Sequence, residues 1–260
     1  MSSYVESLYR SRDLLKSWTS RNISARYQQT SLGWFWAIVQ PAAQVIVFSL
    51  IFTVLVPVNT GGIPYPIFSY VAVVPWTLLS ASLTDMTQTL VTNMNLITKI
   101  YFPREILPIA SMLARMMDFG IASVLLVFLL FFYDMPVFPL GWLFLPLILS
   151  IQLLLILGLG FAVAAANVFF RDVQSLLALM LQIWFYASPI IYPVSRVPEQ
   201  IRPFYFLNPM AGVLEAYRDV LLYGRLPGVY LVPSGIVALL VFIIGYWFFK
   251  RVEFQIADII

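Results

Sequence analysis

The sequence predicts an all-α integral membrane protein: six transmembrane helices, an N-terminal amphipathic helix at the interface, and two short re-entrant helices before the last span. Three observations carry that prediction. The chain of 260 residues is 61% hydrophobic and 10% charged, with a mean hydropathy of +0.90, whereas about a quarter of the residues in a soluble domain are charged. Its charge-free runs are long enough, at about 1.5 Å per residue, to cross about 30 Å of hydrocarbon. Its basic residues gather mainly on one side of those runs, the asymmetry that marks a cytoplasmic face.

The elements follow in order. Residues 1–33 form an amphipathic segment, in which Arg10, Arg12, Lys16, Arg21 and Arg26 accompany Leu8, Leu14, Leu15, Trp18 and Ile23 at roughly helical spacing. This suits a helix with its basic side toward lipid headgroups; a solvated leader that only sets topology is the alternative. The bundle, 34–249, opens with a span from Trp34 to Val56, followed by a turn-rich loop, 57–66, containing Gly61 and Gly62. Further spans are expected from Ile67 to Leu90, Ile106 to Tyr133, Trp142 to Phe170, Val173 to Ile191 and Gly228 to Phe249. Between the last two, residues 192–226 mix apolar and charged residues with breakers at Pro203, Asn208, Pro209 and Gly224. Two short helices dipping into the outer leaflet or capping it are expected there, since lipid tolerates such backbone only where protein buries it; an ordinary outer loop is the alternative. Residues 250–260 form a tail. No repeat divides the chain, so 1–260 reads as one domain.

With the N-terminus inside, Lys99, Arg104, Arg171, Lys250 and Arg251 join the five early basic residues on the inner side, and the first two outer loops have none. Arg196, Arg202, Arg218 and Arg225 in the last outer segment are the exception. Both termini are therefore expected in the cytoplasm. The apolar run starts too late for a cleaved secretory signal, and the net charge of +3 reflects this asymmetry, with no basic face for nucleic acid.

Cysteine and histidine are absent, which excludes disulfides, thiol or histidine catalysis and the usual zinc, haem and copper ligand sets. No metal site and no catalytic residue are expected. A GxxxxGK[ST] phosphate loop is also missing, so any ATP-powered transport needs its nucleotide site on another polypeptide.

Charges within the spans are few: Asp85, Arg115 and Asp118. Arg115 and Asp118 share a helix face, and an antiparallel neighbour brings Asp85 to similar depth. A structural ion-pair network and a proton relay are both open, the pairing favouring the first. Aromatic residues cluster as Trp34, Phe35 and Trp36 and again as Trp184, Phe185 and Tyr186; they suit an interfacial belt or a path offering flat faces to sugar rings. The stretch NLITKIYFPREILPIA, from Asn95, places Lys99, Tyr101, Phe102, Pro103, Arg104 and Glu105 at an inner bend. Pro103 interrupts helix geometry, a short helix is expected from Asn95 to Phe102, and Tyr101 and Phe102 are expected to be available to a soluble partner. A simple inner turn is the alternative.

Taken together, NLITKIYFPREILPI, GWFWAIVQP with the basic run before it, FFRDV, SPIIYPVSRVPEQIRPFYFLNPM and EAYRDVLLYG resemble, in order and over nearly the whole chain, the membrane subunit of ABC-type polysaccharide exporters. The resemblance implies a type-2 ABC permease that pairs with a second copy of itself and with two ATPase subunits carrying ATP and Mg, and that moves a lipid-linked glycan across the bacterial cytoplasmic membrane. It implies that Asn95 to Glu105 is the ATPase-coupling element, and that Trp34, Phe35, Trp36, Trp184, Phe185 and Tyr186 line the substrate channel. Arg21 and Arg26 stand where the substrate's pyrophosphate headgroup would arrive; attraction to membrane lipid headgroups alone is the alternative. A type-2 permease for a drug or lipid, a proton-coupled carrier using Asp85 or Asp118, and a membrane glycosyltransferase are the competing expectations.

Overall fold

A computed structural model describes residues 11–28, 30–97, 99 and 102–258. The described residues are helical apart from their connections. Helix α1 (Arg12–Tyr27) precedes a 3-10 turn (Gly33–Phe35) and α2 (Trp36–Leu50), which continues through a wider π turn, Ile51–Leu55. Then come α3 (Tyr65–Thr92), the one-turn α4 (Met94–Ile97), α5 (Ile106–Phe132), the one-turn α6 (Pro139–Trp142), α7 (Leu145–Phe169) and α8 (Val173–Ala187). The one-turn α9 (Arg202–Tyr205), α10 (Pro209–Leu221) and α11 (Leu231–Asp258) complete the chain.

Among the described residues five segments are long and apolar enough to cross a membrane: Gly33–Leu55, Tyr65–Thr92, Ile106–Phe132, Pro139–Phe169 and Leu231–Glu253. The sixth expected span is shorter than the sequence suggested. Helix α8 stops at Ala187, because Ser188 precedes Pro189 and takes the extended backbone that a following proline ring enforces. Its 15 residues reach about 22 Å at about 1.5 Å each, less than the hydrocarbon thickness of about 30 Å.

Helix α3 is the centre of the bundle. It is buried along most of its length and touches α2, α5, α7, α8 and α10. Helix α2, by contrast, buries only Pro41 and Val45 of its regular turns, so its apolar surface is left for lipid or another chain. Helices α7 and α11 meet most closely of all. A Cβ on Gly158 would lie 2.5 Å from the Phe242 backbone, and one on Gly245 would strike the Gly158 carbonyl. Only glycines allow two backbones this near, a device membrane helices use in place of hydrophobic burial.

Helix α1, the end of α11 and the bend after α4 share one end of the bundle, where Trp18, Ile97, Phe102, Ile106, Phe161 and Phe249 form a small core. The sequence placed the same three segments on one side. At the opposite end α10 is buried at all of its 13 positions against α11, α3 and α7, which is what lets its charges lie so deep. The guanidinium of Arg218 stacks on the Phe68 ring at 3.8 Å, donates to the Ile190 carbonyl at 2.9 Å and faces Glu215 at 3.6 Å. Asp219 pairs with Arg225 at 2.6 Å.

The tight seam generates a stability prediction. Gly158→Val should destabilise purified protein in detergent by about 1–3 kcal/mol or more, since backbone must move to admit the side chain. Gly120→Ala, whose added Cβ meets nothing within 4 Å, should be neutral or stabilising by up to about 1 kcal/mol. Thermal unfolding of both variants checks the contrast.

Candidate functional site

Where α1 ends against α3 and α5, four charges converge. Arg115 grips Asp85 with two bonds, 2.7 Å from Nε and 2.9 Å from Nη2, the bidentate geometry that makes such pairs strong. It also reaches Asp118 at 3.2 Å. Arg26 bridges the same two carboxylates, 2.7 Å from Asp85 and 2.5 Å from Asp118. The hydroxyl of Tyr27 donates to the other oxygen of Asp118, and burial first, then the carboxylate, pushes the Tyr27 pKa up to about 12, so this donor keeps its proton at physiological pH. Two positive and two negative charges thus close on one another, the ion-pair network that the spacing of Arg115 and Asp118 suggested. The contribution of Arg26 was not foreseen. Beside the network a cleft of about 260 Å³ is lined by Arg26, Tyr27, Trp36, Gln40, Thr77 and Arg115.

The two candidate headgroup residues therefore differ. Arg26 is committed to Asp85 and Asp118, whereas Arg21 stays exposed and lies over the Trp18 ring at 4.4 Å.

The aromatic candidates divide similarly. Trp34, Phe35 and Trp36 are each about half exposed where α2 begins, Trp34 stacked on Phe35 at 4.6 Å. Trp184 sits edge-on to Trp76 at 5.8 Å and donates its indole N–H to Asn208 at 2.8 Å. That same Asn208 oxygen caps α10 by accepting from the Met210 N–H at 3.1 Å, so Trp184 positions α10 as much as it lines anything. Phe185 is buried between Phe48 and Trp76, at 5.8 and 5.6 Å, and Tyr186 is exposed. Between α2 and α8 these residues shape an open groove of about 500 Å³ whose walls include Gln44, Phe48, Trp76, Gln182, Phe185 and Tyr186. The sequence reading missed Phe48 and the two glutamines, although Gln44 and Phe48 lie one helical turn apart and so share a face of the first span.

The bend between α3 and α5 also departs from expectation. The short helix is one turn, Met94–Ile97, which carries Asn95, and Lys99 is exposed in a turn. Tyr101 lies outside the described residues. Phe102, expected to be open to a partner, is buried beside Trp18 and Phe249, because the apolar end core is completed from this loop. After Pro103, the Arg104 guanidinium donates to the Glu253 carbonyl, and the buried Glu105 carboxylate pairs with Lys250, which also holds Glu253 at 2.7 Å. The bend is thereby fastened to the last turns of α11, a link across 145 residues or more that no local pattern announces.

Comparison with known proteins gives a consistent result. The family described as ABC-2 type transporter matches residues 13–222. The O-antigen export system permease protein RfbA of Myxococcus xanthus is 32% identical over 226 residues, 86% of this chain and 85% of the relative. A Klebsiella pneumoniae protein of the same name is 26% identical over 249 residues, 95% of each. The polysialic acid transport protein KpsM of Escherichia coli is 25% identical over 209 residues, 78% of this chain and 79% of the relative.

Two outcomes are expected from the site's geometry. Arg115→Met, which leaves Asp85 and Asp118 under-compensated in a poor dielectric, should cost about 3 kcal/mol, and adding Asp85→Asn should recover part of the loss in a double-mutant cycle. Trp184→Phe keeps the ring but removes the bond to Asn208, so unfolding measurements should register a loss of about 1 kcal/mol.

Proposed function

The chain belongs to the ABC-2 type transporter family, and from that premise we propose that it is the permease subunit of a polysaccharide exporter driven by ATP on a separate subunit. The observation that carries the glycan reading is the groove between α2 and α8. Ring faces of Trp76, Phe48 and Tyr186 offer flat apolar surface to the C–H faces of a sugar, while the amides of Gln44 and Gln182 offer donors and acceptors for hydroxyls. A drug or lipid path has little use for such paired amides. The relatives named for O-antigen export and polysialic acid transport support the same substrate class.

In this reading two copies of the chain bring the exposed faces of α2 and α8 together, so that the two grooves enclose one path through the bacterial inner membrane. Both termini lie in the cytoplasm, which fits the basic residues at the end of the bundle that holds α1. The exposed Arg21 meets the diphosphate of a lipid-linked glycan as it arrives. Arg26 instead keeps α1 fixed to α3 and α5, and the fully paired charges disfavour a proton relay, which needs a carboxylate free to change state.

Two ATPase subunits, carrying ATP and Mg, act on the bend from Asn95 to Glu105. Lys99 faces outward for contact, whereas Arg104 and Glu105 pass displacement of the bend to α11 through Glu253 and Lys250. Nothing in this chain makes or breaks a covalent bond under this reading.

Three measurements test it. Gln182→Ala with Tyr186→Ala should reduce glycan export about tenfold or more, the scale expected when stacking and amide bonds of a few kcal/mol are removed, while the complex still assembles; undiminished export would overturn the glycan path. Arg104→Ala with Glu105→Ala should lower substrate-stimulated ATPase activity of the purified complex several-fold, and unchanged stimulation would remove the coupling role. The chain reconstituted without an ATPase should not pump at all, with or without an ion gradient.

A further inference from the structure

On the side of the bundle toward α6 and α10, a cavity of about 310 Å³ opens between α5 and α7. Its floor is α3 at Val71, Val74 and Pro75, and its back wall is α10. Val127 on α5 and Pro146 on α7, which border it, are exposed, so the mouth opens on a surface that faces hydrocarbon. Its size suits about ten groups as large as a water molecule or a methylene.

The chemistry of the walls excludes water and sugar. A buried water needs two to four polar partners, and the few polar groups here are already committed. The Ser123 hydroxyl donates to the Phe119 carbonyl at 2.7 Å, and the Tyr217 hydroxyl to Gln152 at 3.2 Å. One donor is left over. Trp142, which lines the cavity where α6 ends and α7 is about to begin, has its indole N–H buried with no acceptor among the described residues. Tryptophan at the start of a span sits at headgroup depth, the depth of the ester carbonyls of a phospholipid.

We propose that this cavity binds one acyl chain of a bilayer phospholipid, held as a fixed part of the fold, with the Trp142 indole turning its N–H from its buried position to donate to the ester at the mouth. The hydrocarbon fills a space that would otherwise forfeit packing contacts on every wall, and it enters sideways from the bilayer, with no need of the α2–α8 groove. Helix α3 stands between the two: Trp76 faces the groove, and its neighbours Val74 and Pro75 face the cavity. A cargo tail travelling in the groove does not reach it. The site is thus separate from the α2–α8 groove, and it adjoins the cleft beside the charge network at Val74 and Phe119.

The test uses the purified chain in vesicles of phosphatidylethanolamine and phosphatidylglycerol, with a minor fraction of phospholipid bearing a diazirine on its acyl chain. Cross-links are expected to concentrate on the peptides around Ser123 to Leu130 and Trp142 to Leu149. Val127→Trp at the mouth, and separately Ser123→Phe within the cavity, should each lower that labelling about tenfold, as exclusion of only two methylenes would. Labelling of the lipid-facing stretch around Ile243 and Ile244 should not change, which also reports that the fold is intact. Trp142→Phe should weaken labelling several-fold while leaving the thermal midpoint nearly unchanged. Labelling spread evenly over lipid-facing helices, or insensitive to Val127→Trp, would overturn the site. Its displacement by a small proportion of a polyprenyl phosphate would assign the cavity to an isoprenoid and overturn the phospholipid assignment.

Discussion

Inside hydrocarbon a polar group has no solvent to fall back on, so each one must find its partner within the protein. That constraint organises this bundle more than any apolar contact does. Gln152 on α7 donates to the Pro75 carbonyl of α3 at 2.7 Å, and Asn167 on α7 donates to the Thr87 carbonyl of α3 at 2.9 Å. Asn208 joins the ends of α8 and α10. Four charges close on themselves where α1 meets α3 and α5. Because the lipid competes for apolar surface as well as any side chain does, these polar ties and the Gly158–Gly245 approach fix which helices are neighbours.

The ties also fall unevenly across the molecule. Helices α3, α5, α7, α10 and α11 are held by them, while α2 has none of those named and α8 only the Asn208 tie at one end, and both leave much of their surface exposed. The aromatic groove lies between those two helices. The bend around Pro103 is at the far extreme. It is pinned by a buried ion pair and a carbonyl bond to α11, so it cannot move alone. Those two contacts join it to a helix that packs against α7.

Much of this was legible in the sequence, and the illegible part has a common cause. Charge-free runs reveal spans because hydrocarbon forbids charge, and Arg115 with Asp118 reveals a pair because three residues separate them on one helix. Pro189 is also visible as a stop, although an apolar run continuing past it masks the short α8. By contrast, Arg26 finds Asp85 and Asp118 across 59 and 92 residues, and Glu105 finds Lys250 across still more. Phe102 looks like a surface aromatic until Trp18 and Phe249 arrive from the two ends of the chain. Arg218 reads as a loop charge because nothing near it in sequence predicts the Phe68 ring beneath its guanidinium. Pairings made by tertiary structure leave no periodic trace.

The fastening of Glu105 to Lys250 has a consequence for how the protein is made. A ribosome delivers the first five spans long before the helix that carries Lys250, and during that interval a carboxylate destined for burial has no counter-ion. Chains stalled or truncated short of α11 therefore lack the cation that closes on Glu105 in the finished fold.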